Sequence, residues 1–406
     1  MPTSRVSRPR LALPDPLRGT DAGSFAEYTV AVRMPAIGRR VFEENTLDEA
    51  SARRMEALLE ELPNGVVEPL DDPFAPDVDA WNEQHRAVAG QTWLQVPWFF
   101  AETYFYRRIV AAVRYFAGDG RVGLDPFAYQ KRRGLEVSDA LIRRAFEELE
   151  AALSQGWSTA AFAALIKADL WGNQADLSLW PADDQNHPTH AADEADAHLL
   201  VDDAMRAAEH FERRPGGRLD VLVDNAGFEL VGDLVLADYV LSTSAASKVV
   251  LHVKLHPTFV SDAMEADVRA TIDFLAESSH ESVRHGGERL RRHLESGALV
   301  LRTHPFWTSP LPAWEMPEDV CDDLAASDLV VSKGDANYRR LLGDLKWPLD
   351  TPFRDIVNYF PAPVVVLRTY KSELGCGVDS ERIARLKQED PEWMTNGRWG
   401  IVQMEG

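Results

Sequence analysis

The chain has 406 residues, 45% of them hydrophobic, and a formal net charge of −22. That length is typical of two domains, and the apolar content is ample for a globular core. The charge argues against a sequence-independent nucleic-acid binder, which needs a basic footprint. No apolar run reaches the length of a membrane span, and the first residues lack the apolar core of a signal peptide. Two cysteines, Cys321 and Cys376, fit a reducing cytosol rather than a disulfide framework, so the chain reads as cytoplasmic. Nothing in the pattern fixes an oligomeric state.

In chain order, residues 1–24 read as a poorly ordered tail, with Arg5, Arg8, Arg10 and Arg18 set among Pro2, Pro9, Pro14 and Pro16. Residues 25–196 read as a helical domain ending in a linker. One helix runs from Phe99 through Tyr104 and Ile109 to Tyr115. Another is capped by Ser138-Asp139, carries Leu141, Ile142, Phe146, Leu149 and Leu153 on one face, and ends at Gly156. Ser158 opens a third, with Phe162, Ile166 and Leu170, and Gly172 reads as its C-cap. The stretch 181–196, rich in Asp, His, Pro and Asn, reads as a surface loop or linker.

Residues 197–406 change character. Apolar, β-rich runs at 219–223, 248–253, 298–301, 329–331 and 364–367 alternate with helical patterns such as 265–277 and 380–388. That alternation predicts an α/β fold, a mostly parallel sheet with helices on both faces. The expected whole is a helical N-terminal domain packed on an α/β/α sandwich.

Four segments bearing acids or bases follow these strands. Asp224-Asn225 follows the first, and Ser261-Asp262 lies beyond the second. Lys333-Gly334-Asp335-Ala336-Asn337-Tyr338 follows the run at 329–331, and Arg368-Thr369-Tyr370-Lys371 follows the last. In a parallel sheet all four project from one carboxyl edge, where open α/β sheets bind ligands. Two acids and an amide suit a hard divalent cation. Lys333, Lys371 and Arg368 suit an anion beside it, which is the equipment for phosphoryl transfer to water. Alone, Asp224-Asn225 reads equally well as an Asx turn capping the next helix. Ala226 stands where a DxD phosphatase would carry its second acid. His252, Lys254 and His256 alternate along one face of an extended segment, and read as strand-end residues rather than zinc ligands.

The stretches DNAGFELVGDLVLADYVL from Asp224, WGNQADLS at 171–178, KGDANYRRLLGD at 333–344 and the Arg368-Thr369-Tyr370-Lys371 signature resemble the DUF89 family. Within it they resemble the damage-control phosphatases of subfamily III, the ARMT1-like proteins. PWFFAETYFYRR at 97–108 and DPFAYQK at 125–131 resemble its N-terminal segments, and the resemblance spans roughly residues 25 to 375. It implies a metal-dependent phosphatase acting on a small phosphorylated metabolite, such as fructose 1-phosphate or fructose 6-phosphate. The implied metal ligands are Asp224, Asn225 and Asp262, for Mn²⁺, Ni²⁺, Co²⁺ or Mg²⁺. Substrate contacts are implied at Gly334, Asp335, Ala336, Asn337, Tyr338 and Lys371, with Glu229 at a position assigned to a methyl donor's site. On this basis Lys333 and Lys371 neutralise the phosphate, Asp335 orients or deprotonates water, and Asn337 and Tyr338 meet the sugar. The alternative is a carboxyl methyltransferase using S-adenosylmethionine, suggested by Leu374-Gly375-Cys376-Gly377, or a non-catalytic binding protein. A cofactor loop should follow the first strand, however, and this one follows the last of the expected strands.

Overall fold

The computed structural model describes residues 8–116, 118, 123–172 and 196–406. The linker at 181–195, with His187 and His190, lies outside the described residues, as do Asn173 and Asp176. Seven strands form one sheet: β1 Leu199–Asp202, β2 Gly217–Leu222, β3 Ala246–Val253, β4 Leu299–Thr303, β5 Leu329–Lys333, β6 Val364–Thr369 and β7 Gly400–Glu405. Their order is β1-β7-β6-β5-β2-β3-β4. The five strands β6, β5, β2, β3 and β4 run parallel. Only the β6–β7 pairing is antiparallel, and β1 pairs parallel to β7. The expected α/β class, with a mostly parallel sheet, is what the chain adopts. The carboxyl ends of β2, β3, β5 and β6 therefore share one edge.

Successive side chains on a strand point to opposite faces, and here they feed two cores. Leu222, Val330, Val364 and Val366 join one apolar cluster with Trp98, Tyr104, Trp314 and Ile356. Leu219, Val221, Val331, Val365 and Leu367 join the other with Phe146, Phe162, Ile166 and Leu234. Helix Trp98–Ala112 thus packs into the first core, and helices Asp139–Gln155 and Thr159–Gly172 into the second. The helical half covers both faces of the sheet and shares both cores with it.

Two sequence expectations need correction. Residues 15–18 are not a loose tail. Lys346 N donates to Asp15 O, Leu17 N to Asp344 O and Trp98 N to Leu17 O, at 2.8–3.1 Å, and Leu17 is buried. Ser138 precedes helix Asp139–Gln155 but does not cap it with its side chain, because its Oγ donates to Gly134 O at 2.8 Å. Gly156 does end that helix, at φ +79°.

Buried charges brace the N-terminal motifs. Arg107 donates to Asp72 and Asp77 at 2.8 Å. Lys131 reaches Asp125 at 3.1 Å and Asp267 at 2.8 Å, which ties the 125–131 motif to helix Glu265–Ala276 just beyond Asp262.

Candidate active site

The chain leaves β2 through Val223 into Asp224 and Asn225. The loop after β3 folds back against it through the backbone. Ala226 N donates to Ser261 O at 2.7 Å, Ala263 N to Asp224 O at 2.8 Å, and Lys254 N to Ala263 O at 2.9 Å. This pairing places Asp262 opposite Asn225. Phe259 and Val260 turn the loop in left-handed conformations, at φ +48° and +67°. Non-glycine residues pay for that, by about 1–2 kcal/mol each, and such strain persists where surrounding contacts over-determine it.

Side chains then fix the oxygens. Asn225 Nδ2 donates to Asp224 Oδ2 at 3.0 Å and to Glu229 Oε2 at 2.8 Å. Its Oδ1 accepts from Ser261 Oγ at 2.6 Å, which sets the amide's orientation and leaves a lone pair on Oδ1. Lys254 Nζ donates to Val223 O at 2.9 Å and sits 3.1 Å from Asp262 Oδ2. Gly334 opens the helix Gly334–Leu342 at φ +81°, and a Cβ there would lie 1.8 Å from Asp224 Oδ2. Only glycine lets that helix start against the carboxylate. Asp224, Asn225 and Asp262 are all at least nine-tenths buried and offer only hard oxygen donors. That donor set fits Mg²⁺ or a similar divalent ion and not a soft metal.

A cleft opens over these groups, lined also by Asp335, Ala336 and Lys371. Asp335 is held on one oxygen. Its Oδ1 accepts from Arg368 Nε and Ser372 Oγ, each at 2.8 Å, while Oδ2 makes no hydrogen bond among the described residues. Arg368 is itself pinned by Leu374 O at 2.6 Å and Ser372 Oγ at 2.8 Å, between the rings of Tyr338 and Tyr370. It positions Asp335 and does not line the cleft.

The structure separates other expected residues from the cleft. Lys333 is fully buried on the second-core side of β5, against Asp169 and 3.1 Å from Asp233 Oδ1, with Glu229 at 3.8 Å. Burial would depress the Lys333 ammonium, but these three acids outweigh it and raise its pKa. Burial pushes the Asp233 carboxyl well above its ordinary range against the pull of Lys333. Glu229 passes this anchoring on, because it holds the Asn225 amide. Asn337 donates to Leu222 O and Lys333 O, at 3.1 and 2.9 Å, clamping β2 to β5. Tyr338 donates to Gln403 Oε1 at 3.1 Å, and burial raises its phenol well above the usual range. The KGDANY loop thus sends Asp335 and Ala336 into the cleft, with Gly334 beneath Asp224, and spends its other side chains on support.

The sequence missed the opposite wall. Phe25, Arg33, Trp98, Glu102, Phe259 and Arg339 complete the cleft lining. The Glu102 carboxylate is buried and bonded to Arg339. Of these, only Arg339 falls in the family stretch quoted from the C-terminal half. Trp98 and Glu102 lie in the aromatic stretch at 97–108, Phe25 and Arg33 precede it, and Phe259 lies in the loop after β3.

Asp220, His252 and Asp323 also come within metal-ligating range of one another. Arg218 already spans both carboxylates, at 2.6 Å to Asp220 and 2.9 Å to Asp323. His252 Nε2 lies 2.8 Å from Asp220 Oδ2. A guanidinium occupies the place a cation would take, which makes this cluster a charge-paired brace. His256 is buried among Asp77, Arg107 and Phe116; burial, then Arg107, lowers its pKa to about 4. The glycines of 374–377 serve packing. A Cβ at Gly375 would meet Tyr370 Oη at 2.8 Å, and one at Gly377 would meet Gln403 Nε2 at 2.7 Å.

The family model for the damage-control phosphatase ARMT1-like domain matches residues 29–386. Damage-control phosphatase ARMT1 of Danio rerio is 32% identical over 96% of this chain and 96% of its own length. The Homo sapiens protein of that name is 30% identical, over 97% and 99%. A solved DUF89 family protein from Pyrococcus horikoshii aligns over 92% of this chain and 96% of its own, at 14% identity and a TM-score of 0.48.

Proposed function

The chain belongs to the damage-control phosphatase ARMT1-like family, and from that premise we propose a metal-dependent phosphatase of small sugar phosphates, of the fructose 1-phosphate or fructose 6-phosphate type. The family supports a phosphatase in metabolite repair; the metal, the sugar and the residue roles are our reading. The observation that carries it is the convergence of Asp224, Asn225, Asp262, Asp335 and Lys371 in one cleft at the carboxyl edge of parallel strands.

Asp224, Asn225 and Asp262 would hold the divalent cation, which supplies charge neutralisation at a non-bridging phosphate oxygen. Lys371, from the Arg368-Thr369-Tyr370-Lys371 signature, takes the charge on another oxygen. Asp335 offers its Oδ2 to a water, with Arg368 and Ser372 holding its angle. Helix Gly334–Leu342 begins against Asp224, with Asp335 and Ala336 lining the cleft, and a helix N-terminus favours negative charge. Lys333 acts at a distance, by fixing Glu229 and so Asn225. Little covalent help is needed, because positioning and charge neutralisation supply most of the catalysis in phosphoryl transfer.

The test is a phosphate-release screen over sugar phosphates with Mn²⁺, Co²⁺, Ni²⁺ and Mg²⁺, repeated with chelator and with S-adenosylmethionine. Release that needs a metal and ignores the methyl donor supports the reading. Tight S-adenosylmethionine binding with no hydrolysis of any sugar phosphate would replace it with the methyltransferase.

A further inference from the structure

The cleft also carries polar side chains supplied by the helical half. Arg33 comes from the segment Thr29–Arg33, a π-helical turn between helices Phe25–Tyr28 and Met34–Glu44. Such turns recur at functional sites because they re-aim one side chain. Trp98 and Glu102 come from the first turns of helix Trp98–Ala112. Glu102 is 4% exposed, yet it lines the cleft, bonded to Arg339 and with Arg33 at 3.9 Å. Arg339 is fixed by Asp344 at 2.8 Å and stacks 3.6 Å over Trp98, so the carboxylate beside it is preorganised. Trp98 is 1% exposed and also lines the cleft. Its indole Nε1 has no hydrogen-bond partner among the described residues. A buried donor left unpaired costs free energy, and a ligand that pairs it recovers that cost.

A cleft wall meant for an apolar group would carry neither a buried carboxylate nor an unpaired indole N–H. A hydroxyl both donates and accepts. It can donate to Glu102 and accept from Trp98 or Arg33. We propose that Glu102, Trp98 and Arg33 form a hydroxyl-reading subsite, which selects polyhydroxylated phosphate esters over esters bare at the end away from the phosphate. This rests on the phosphatase reading of the oxygen end, and it assigns substrate choice to the helical half of the chain. A site built to hydrogen-bond a hydroxyl discriminates strongly against ligands that lack it.

The experiment compares kcat/KM for fructose 6-phosphate and for p-nitrophenyl phosphate, with Mn²⁺, in the full chain and in Trp98→Phe, Glu102→Gln and Arg33→Gln. Trp98→Phe keeps a ring under Arg339 and removes only the donor and one ring. The expected result is a fall of tenfold or more in the sugar-to-aryl ratio, carried mainly by KM for the sugar phosphate. A ratio within twofold of the unaltered protein, in variants with unaltered circular dichroism and melting, overturns the proposal. If the unaltered protein hydrolyses neither ester, the phosphatase reading fails on its own. Calorimetry with Mn²⁺ then decides the subsite. Fructose 6-phosphate should bind at least tenfold tighter than inorganic phosphate, with the gap closing in Trp98→Phe; absence of that gap overturns it.

Discussion

Replacing Gly334 by alanine should disable the site through geometry alone. The new Cβ would fall 1.8 Å from Asp224 Oδ2, 2.2 Å from its Cγ and 2.8 Å from its Cβ. An ordinary contact is about 3.5 Å, so the carboxylate must retreat by roughly 1.7 Å. A misplacement of about 1 Å can cost a hundredfold in rate, and Asp224 is tied to Asn225, so its neighbour moves with it. The residue's φ of +81° adds about 1–2 kcal/mol of backbone strain for alanine. Gly297→Ala is the control: its φ is +75°, yet nothing lies within 4 Å of its would-be Cβ. Gly297→Ala should lose only the small strain penalty in urea unfolding and keep its turnover, whereas Gly334→Ala should lose about 1–3 kcal/mol more through the clash and turnover by about a hundredfold or more. Metal-dependent phosphate release within threefold of the unaltered protein in Gly334→Ala would refute the claim that Asp224 is held by this contact.

Three further outcomes follow from the same geometry. Lys371→Ala should lower turnover by about a hundredfold, as for other lost electrostatic donors, and Lys371→Arg should restore it only in part, because a planar fork fills the place of a compact ammonium differently; full activity in the alanine variant would remove Lys371 from the site. Lys333→Met should act first on stability, at about 3–5 kcal/mol, because it strands Asp169, Asp233 and Glu229 without their cation; unchanged urea unfolding would contradict the buried cluster. His256 has a folded pKa of about 4, below its unfolded value near 6.5. The unfolded chain therefore takes up the proton first, and stability should fall as pH drops from about 6.5 to 4, by on the order of 3 kcal/mol; that slope should shrink in His256→Gln, and an identical slope would show that His256 does not titrate this way.

The sheet was legible where strands are buried on both faces. Runs at 219–223, 248–253, 329–331 and 364–367 are rich in apolar, β-branched residues, and each became a strand of the parallel set. β1 and β7 were not, since Leu199–Asp202 is a four-residue strand with a polar end, and Gly400–Glu405 places Gln403 and Glu405 among its apolar residues. Position along the edge was also legible, because residues after parallel strands must project together. Side-chain direction was not. Lys333, at the end of β5, and Asp335, two residues beyond it, look alike in sequence; the period-two alternation and the helix beginning at Gly334 send one into the second core and the other into the cleft. The opposite wall was hidden for another reason: Arg33, Trp98 and Glu102 reach the sheet's edge only through tertiary packing of the helical half, which no local spacing encodes.

The most direct test of the account is a titration. Protein freed of metal by chelation receives Mn²⁺ in steps while phosphate release from fructose 6-phosphate is followed, in the unaltered chain and in Asp224→Ala and Asp262→Ala. The expected result is no release without metal, saturable activation in the unaltered chain, and none in either variant although both remain folded. Metal-independent release, or near-normal activation in either variant, would contradict it.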